Sequence, residues 1–170
     1  NGTAIINSRL KNIGILKKKL VKRDIKIIIF GSKDIYFCKK NSNNLFIFGK
    51  KYRVNISLNQ IEKENLECAI ACAYALKIEL KKIINSLKKL KSPPGRFEEI
   101  IYKKKKSKII IDYAHTPEAI KSLLITYSNA NFKPSIIFGS GGERDKGKRK
   151  KMSIIAKNYA NRVYITDDNP

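Results

Sequence analysis

The sequence contains no long hydrophobic run, few acidic residues, three cysteines and a single histidine. Its longest apolar stretches are a few residues, such as residues 27–30, whereas a helix that crosses a membrane needs about 20. No secretory signal is visible, so we expect no membrane partner and no export. The shortage of cysteine and histidine argues against a zinc site, because such a site needs about four ligands.

The shortage of acidic residues leaves a basic chain, with 37 Lys and Arg against 14 Asp and Glu and a formal net charge of +23. Such a charge can indicate a nucleic-acid-binding protein. Lysine dominates, however, and base readout and stacking favour arginine and aromatic side chains. Because Lys, Ile and Asn all have A/T-rich codons, we interpret the charge as genome bias and expect no nucleic-acid partner. A basic RNA- or DNA-binding module is the alternative.

Two of the cysteines, Cys68 and Cys72, lie four residues apart on a predicted helix. No second pair of metal ligands accompanies them, and His115 is far away in sequence. We interpret both as small core residues and expect no metal ligand. Free thiols are typical of a reducing cytoplasm, where we place the protein.

The first part of the chain is predicted to be β-rich and then helical. Short β-branched or aromatic runs predict strands at residues 3–6, 25–30, 35–38, 45–48 and 52–58, with a short basic helix at 10–20. From residue 61 apolar residues recur at helical spacing, which predicts helices at 61–80 and 80–90. Ser92-Pro93-Pro94-Gly95 then breaks the chain, since proline cannot continue a helix. We place a domain boundary after residue 92.

The second part alternates strands and helices. Residues 97–102 and 107–112 predict a hairpin, and residues 135–138 and 162–166 predict two further strands. Helices are predicted from Thr116-Pro117 to about residue 129 and from 146 to 160, because Thr116 can cap a helix that has Pro117 at its first position. The β-α-β-α-β succession predicts an α/β fold with a parallel sheet and right-handed crossovers.

Polar groups follow each of these strands, at the edge where open α/β sheets bind ligands. Asp112 and His115 follow the first strand, the basic glycine-rich residues 139–149 the second, and residues 167–170 the third. Residues 142–148 begin like a Walker A loop, but Arg149 stands where magnesium binding requires Ser or Thr. A basic turn at a helix N-terminus remains, which suits an anionic or carboxylate ligand. A cap, a salt bridge or a tight turn is the structural alternative for each feature.

Taken together, four segments resemble the Mur ligases. They occur in that family's order and spacing: Pro94-Gly95-Arg96-Phe97-Glu98, Asp112-Tyr113-Ala114-His115-Thr116-Pro117, residues 139–149 and Asp167-Asp168-Asn169-Pro170. The resemblance is dense from residue 92 to 170 and thin from 1 to 91. It implies that residues 1–92 are the C-terminal part of a central ATP-binding domain. Residues 93–170 would then be the N-terminal part of a Rossmann-like, amino-acid-binding domain.

The activity that the resemblance implies is ATP-dependent amide formation in cytoplasmic peptidoglycan synthesis. A carboxylate of UDP-N-acetylmuramoyl-L-alanyl-D-glutamate would attack the γ-phosphate of ATP, and the amine of a diamino acid would displace phosphate from the acyl phosphate. Mg²⁺ would neutralise the phosphates. The character of residues 141–149 favours meso-diaminopimelate over lysine as the diamino acid. We expect a monomer.

The resemblance also implies roles for individual residues. Asn65 would lie near the adenine of ATP, Asp112 near its ribose, and His115 on the same nucleotide face. The residues that would bind the diamino acid are Arg144, Asp168, Asn169 and Pro170. Arg144 suits a carboxylate, because its guanidinium can form a bidentate pair. No catalytic residue and no metal ligand is expected in this chain.

The chain departs from the family pattern at several places. Ser8-Arg9 stand where an acidic pair usually follows Asn7, and Ile61-Glu62 replace Phe-Asn before Asn65. We expect the phosphate loop and the carbamylated-lysine segment upstream of Asn1, and the rest of the C-terminal sheet beyond Pro170. On this expectation the sequence is a fragment that is inactive alone. A folylpolyglutamate synthase is the alternative ligase.

Overall fold

The computed structural model describes residues 2–38, 43–56, 58–102, 107–141 and 146–167. The chain divides into two compact units, residues 1–91 and 92–170. Each unit has its own cluster of buried apolar side chains. Within the described ranges, no helix is long and apolar enough to cross a membrane.

The first unit contains one mixed sheet and three helices. Its elements are β1 (Thr3–Asn7), α1 (Ile13–Val21), β2 (Lys26–Phe30), β3 (Ile35–Phe37), β4 (Asn44–Ile47), β5 (Lys50–Arg53), α2 (Gln60–Ala75) and α3 (Leu80–Leu87). The strands lie in the order β1-β2-β3-β4-β5. β1 and β2 are parallel over five residue pairs, with α1 as the crossover that parallel neighbours require. β3, β4 and β5 form an antiparallel meander, and β3 joins β2 through the single pair Phe30 and Ile35.

The core of the first unit lies between this sheet and the last two helices. Ile35, Leu45 and Ile47 from the sheet are almost completely buried, as is Ile70 from α2. α2 begins with a capping box, in which the Asn59 side chain accepts from the backbone of Glu62 and the Glu62 side chain accepts from the backbone of Asn59. The capping box explains why α2 begins at Gln60, one residue before the predicted start.

In its described residues, the second unit contains two separate pairs of strands and two helices. Its elements are β6 (Glu98–Tyr102), β7 (Ser107–Ile111), α4 (Pro117–Thr126), β8 (Ile136–Phe138), α5 (Lys146–Tyr159) and β9 (Val163–Ile165). The predicted hairpin is present, because β6 and β7 pair antiparallel over five residues. β8 and β9 are parallel, and Ile136 of β8 packs with Ile120 and Leu124 of α4 and with Met152 and Ala156 of α5.

One connection differs from the predicted succession of strands. β7 pairs with β6 and, among the described strands, with no other, so it does not continue the β8–β9 sheet. The order of elements predicts which strands run parallel, but it does not predict which edges meet. The hairpin uses one edge of β7, and the other edge has no described partner.

The N-terminus of α4 supports a stability prediction. The hydroxyl of Thr116 accepts a hydrogen bond of 3.2 Å from the Ala119 N–H, and Pro117 occupies the first helical position. Thr116→Ala is expected to lower the free energy of unfolding by about 0.5–2 kcal/mol, because the Ala119 N–H loses the hydroxyl that caps it. Urea unfolding followed by circular dichroism measures the loss. Ser122→Ala, at an exposed position of the same helix, is the control and should cost much less.

Candidate nucleotide-facing site

A hydrogen bond to Asp112, just after β7, connects it with Phe97, just before β6. Asp112 Oδ2 accepts a hydrogen bond of 3.0 Å from the Phe97 N–H, and its side chain is half-buried. Phe97 has a φ of 50°, a left-handed backbone conformation that an aromatic residue rarely adopts. The bond from Phe97 to Asp112 therefore holds a strained turn in place at the base of the hairpin.

Three side chains form what we call the ring cluster, namely Arg96, Tyr113 and His115. The Arg96 guanidinium carbon lies 4.7 Å from the centre of the Tyr113 ring. The His115 ring meets the Tyr113 ring edge-on, with centres 5.1 Å apart and planes at 64°. All three residues are exposed. The arrangement presents a cation and two aromatic rings at one place, which suits a planar ring or an anion as ligand.

The tautomer of His115 follows from its backbone contact. Nδ1 lies 3.0 Å from the carbonyl oxygen of Tyr113. A carbonyl oxygen only accepts, so Nδ1 carries the proton and the neutral ring keeps Nε2 as an acceptor. His115 thereby offers an acceptor from a ring whose orientation is set by Tyr113.

Further contacts join the hairpin to α4. The Tyr127 hydroxyl donates to Glu99 Oε1 at 3.2 Å, and the Phe97 and Tyr127 ring centres are 6.5 Å apart. Lys108 forms an ion pair of 2.8 Å with Glu99 across the hairpin. The hydrogen bond from Lys108 holds the pKa of Glu99 below its ordinary value. These contacts connect the hairpin with Tyr127, the residue that follows α4, and α4 itself starts two residues after the Asp112–His115 segment ends.

Residues 95–170, which include the ring cluster and Asp112, match the family "Mur ligase, glutamate ligase domain". This second part of the chain belongs to the Mur ligase family. It is 36% identical over 181 residues to the UDP-N-acetylmuramoyl-L-alanyl-D-glutamate--2,6-diaminopimelate ligase of Rickettsia bellii, and the match covers 100% of this chain and 37% of that protein. The chain thus spans little more than a third of the length of the curated relatives that it matches.

Solved structures of Mur-type ligases confirm the predicted fold class. A UDP-N-acetylmuramoyl-L-alanyl-D-glutamate--2,6-diaminopimelate ligase is 28% identical, with a TM-score of 0.52 over 99% of this chain and 37% of that one. A bifunctional folylpolyglutamate synthase/dihydrofolate synthase, with Mn, AMPPNP and L-glutamate bound, has a TM-score of 0.68 at 14% identity. That match covers 95% of this chain and 38% of that one. At this lower identity the likeness concerns the fold alone.

The structure places only some of the residues for which the Mur ligase resemblance implies roles. Asp112 and His115 lie three positions apart after β7 and share the loop that begins α4. Asn65 lies exposed on α2 in the first unit. The four residues predicted to bind the amino acid, Arg144, Asp168, Asn169 and Pro170, lie outside the described residues. Of the predicted set, the structure therefore shows one pair together.

Ser140 is a polar residue near a strand end that the sequence did not single out. It follows β8, within the glycine-rich segment at the carboxyl end of the strand. Its hydroxyl oxygen is buried and has no hydrogen-bond partner in the described part of the chain. A buried hydroxyl without a partner costs free energy, so Ser140 adds to the polar groups available at this strand end.

Glu67 is a second residue that the sequence did not single out. Its side chain is 3% exposed, and Oε1 accepts a hydrogen bond of 2.6 Å from the Phe37 N–H. Oε2 has no partner among the described residues. Burial raises the pKa of Glu67, and the nearby charge of Glu64 raises it further. The hydrogen bond from Phe37 and the charges of Arg9 and Lys63 lower this pKa, but the net shift is upward. Glu67 precedes buried Ile70 and Ala71 by three and four residues, and this spacing is the signal that places it on the inner face of α2.

Arg9, which departs from the family pattern, also contacts α2. Its guanidinium pairs with the Glu64 carboxylate, and its N–H donates to Asn7 Oδ1 at 2.9 Å. The position after β1 therefore carries a cation that pairs with an acid on the helix, where the family usually has acids. The substitution has a local electrostatic explanation within the first unit.

The buried carboxyl of Glu67 predicts a pH dependence of stability. Because its folded-state pKa is raised above the ordinary 4.5, the folded chain holds this proton more tightly than the unfolded chain does. The free energy of unfolding should therefore fall as the pH rises from 4.5 through the raised pKa, and this contribution should level off above it. Glu67→Gln is expected to remove that fall.

Urea titrations at several pH values compare the wild type with Glu67→Gln. Glu79→Gln is the control, since the Glu79 side chain is 65% exposed. Identical pH profiles for the wild type and Glu67→Gln would show that Glu67 titrates in the folded chain as it does in the unfolded chain.

The prediction that both helix cysteines are core residues is half right. Cys68 packs against the first core, but Cys72 is exposed. The buried face of α2 is formed by Glu67, Ile70 and Ala71. Successive residues are rotated by about 100° around a helix axis. Cys72 is therefore about 100° away from buried Ala71 and faces solvent.

Proposed function

We propose that this chain is part of an ATP-dependent carbon–nitrogen ligase of peptidoglycan synthesis. The reaction would add meso-2,6-diaminopimelate to UDP-N-acetylmuramoyl-L-alanyl-D-glutamate in the cytoplasm. The support is the identity of 36% to a relative of that name, which extends over the whole chain and both units. The folylpolyglutamate alternative has the same fold but only 14% identity in the comparison above.

The domain assignment is part of the proposal. Residues 1–92 would be the end of the central ATP-binding domain, and residues 93–170 the first part of the amino-acid-binding domain. The family match from residue 95 onward supports the second assignment. The parallel β1–β2 pair with a helix beside it supports an ATPase-type α/β unit for the first.

The observation that carries the nucleotide assignment is the ring cluster beside Asp112. Asp112 uses Oδ2 for the Phe97 N–H, which leaves Oδ1 able to accept from a ribose hydroxyl. His115 offers Nε2 nearby, and Arg96 supplies a positive charge that suits a phosphate-bearing ligand. Asn65, exposed on α2 of the first unit, has an amide that both donates and accepts, as a contact to an adenine ring requires. These groups fit ATP in chemical type.

The described residues do not by themselves fit Mg²⁺. They contain no group of three or more His, Cys, Asp or Glu side chains that could hold a metal ion. Mg²⁺ prefers oxygen ligands in octahedral geometry, with one or two carboxylates and substrate phosphates. As the Mur ligase resemblance implies, its protein ligands would lie in parts of the enzyme outside this chain, and we assign no reaction step here to the metal.

In the proposed reaction this chain binds and orients the substrates. The D-glutamate carboxylate of the UDP substrate attacks the γ-phosphate, and ADP leaves. The diaminopimelate amine then attacks the acyl phosphate, an amide forms, and phosphate leaves. Arg144, Asp168, Asn169 and Pro170 would hold the diamino acid with its amine toward the acyl phosphate. Positioning of this kind can supply much of the rate enhancement of such a transfer.

The test is an assay of ADP release by the protein extended in both directions along its gene. Release should require both the UDP-muramoyl dipeptide and diaminopimelate. Release driven by lysine instead would change the amino acid, and release driven by a folate and glutamate would establish the alternative ligase. Tight RNA binding that persists near physiological salt, with no ADP release, would favour the basic binding module.

A further inference from the structure

The thiols of Cys68 and Cys72 form a pair on the surface of α2. They lie one helical turn apart at positions i and i+4 of the helix, so they are neighbours on its surface. Cys72 is exposed and Cys68 is half-buried against the core, and both are free cysteines. A ligand can therefore reach the pair from solvent through Cys72.

The helix prevents this pair from closing as a disulfide. Residues four apart on a helix have Cβ atoms about 5–6 Å from each other. A disulfide needs Cβ atoms about 3.5–4.5 Å apart. Closing the bond would distort the turn of α2 from Cys68 to Cys72. This turn contains Ile70 and Ala71, which are buried in the core. A bridging ion has no such requirement, because it lengthens the link between the two sulfurs.

We propose that Cys68 and Cys72 form a binding site for Cu(I). Thiolates are soft ligands that select soft ions such as Cu(I), and a monovalent d¹⁰ ion is satisfied by two thiolates in a near-linear arrangement. Zinc needs about four ligands, and the described residues offer no third His, Cys, Asp or Glu beside the pair. Glu64, one turn before Cys68, is engaged by Arg9. The donor set therefore fits an ion of low coordination number.

Binding should release protons. Thiols must lose their protons to ligate a metal, so the affinity for Cu(I) increases with pH. This pH dependence separates ligation by thiolates from adsorption of the ion to carboxylates, which are already ionised at neutral pH.

The experiment titrates Cu(I) into the reduced whole chain in competition with a chromogenic Cu(I) chelator. The wild type should hold one equivalent of Cu(I). Cys72→Ser should weaken binding by about 10²- to 10⁴-fold, the usual advantage of a second linked ligand. Cys38→Ser is the matched control and should bind like the wild type, since Cys38 follows β3 and is not on α2.

Two results would overturn the site. One is wild-type affinity in Cys72→Ser, and the other is an equal loss in Cys38→Ser. Cys72 is exposed, so its serine variant should fold, and circular dichroism checks this even if the half-buried Cys68→Ala variant does not fold. Zn²⁺ binding as tight as that of Cu(I) would overturn the assignment to a low-coordinate ion.

Discussion

Arg144→Ala in the extended protein is expected to raise the KM for diaminopimelate by roughly two to three orders of magnitude. The loss of one partner from a buried, hydrogen-bonded charge pair costs about 2–5 kcal/mol. A guanidinium matches a carboxylate through two parallel hydrogen bonds, so Arg144→Lys should restore only part of the loss. The KM for ATP should change little. Initial rates of ADP release, with each substrate varied in turn, measure both constants.

Lys150→Ala is the control for Arg144→Ala. Lys150 is exposed on α5, four residues beyond the start of the helix, and its replacement removes the same amount of charge. Its KM for diaminopimelate should stay near that of the wild type. If both substitutions raise the KM for diaminopimelate equally, the effect is due to net charge. If Arg144→Ala leaves this KM unchanged, Arg144 does not bind the diamino acid.

Asp112→Asn should separate the structural role of Asp112 from its role in nucleotide binding. The asparagine oxygen can still accept from the Phe97 N–H, so the free energy of unfolding should remain near that of the wild type. The variant loses the charge and the second acceptor oxygen, which we propose faces the ribose. Since hydrogen bonds to charged groups contribute about 1.5–3 kcal/mol, the KM for ATP should rise roughly 10- to 100-fold.

Asp112→Ala should show both effects together. It leaves the Phe97 N–H without its partner, which costs about 1–3 kcal/mol of stability if the group stays buried. Glu118→Gln removes one negative charge at an exposed position in the first turn of α4, and should leave the KM for ATP unchanged. If the Asp112→Asn protein is stable and has a normal KM for ATP, Asp112 does not bind the nucleotide. Its role is then only to accept the hydrogen bond from Phe97 at the base of the hairpin.

Much of the local structure could be predicted because its causes lie close together in sequence. The Thr116-Pro117 start of α4, the break at Ser92-Pro93-Pro94-Gly95 and the β6–β7 hairpin follow from capping, proline geometry and strand alternation. The predicted strand at residues 52–58 was wrong for residues 54–56 and 58, because β5 ends at Arg53. Its apolar alternation continued, but the chain leaves the sheet there to reach the capping box of α2.

The candidate site could be predicted only in part. Asp112 and His115 were identified because they follow an apolar strand and precede a helix cap. The ring cluster was missed, because Arg96 and Tyr113 are seventeen positions apart and meet only when β6 and β7 pair. Cys72 was misplaced because the four-residue spacing shows that two side chains share a face, but not whether that face points inward.

The pattern of residues alone establishes the order of helices and strands and the resemblance of residues 92–170 to the Mur ligases, because periodicity, capping and motif spacing are local properties. Only the packed structure decides that Glu67 is buried with a raised pKa, that Asp112 accepts from the Phe97 N–H, and that β7 does not pair with β8 among the described strands. Each of these depends on which surfaces meet across many residues. Burial and strand pairing are properties of those contacts, and no single segment of the chain contains them.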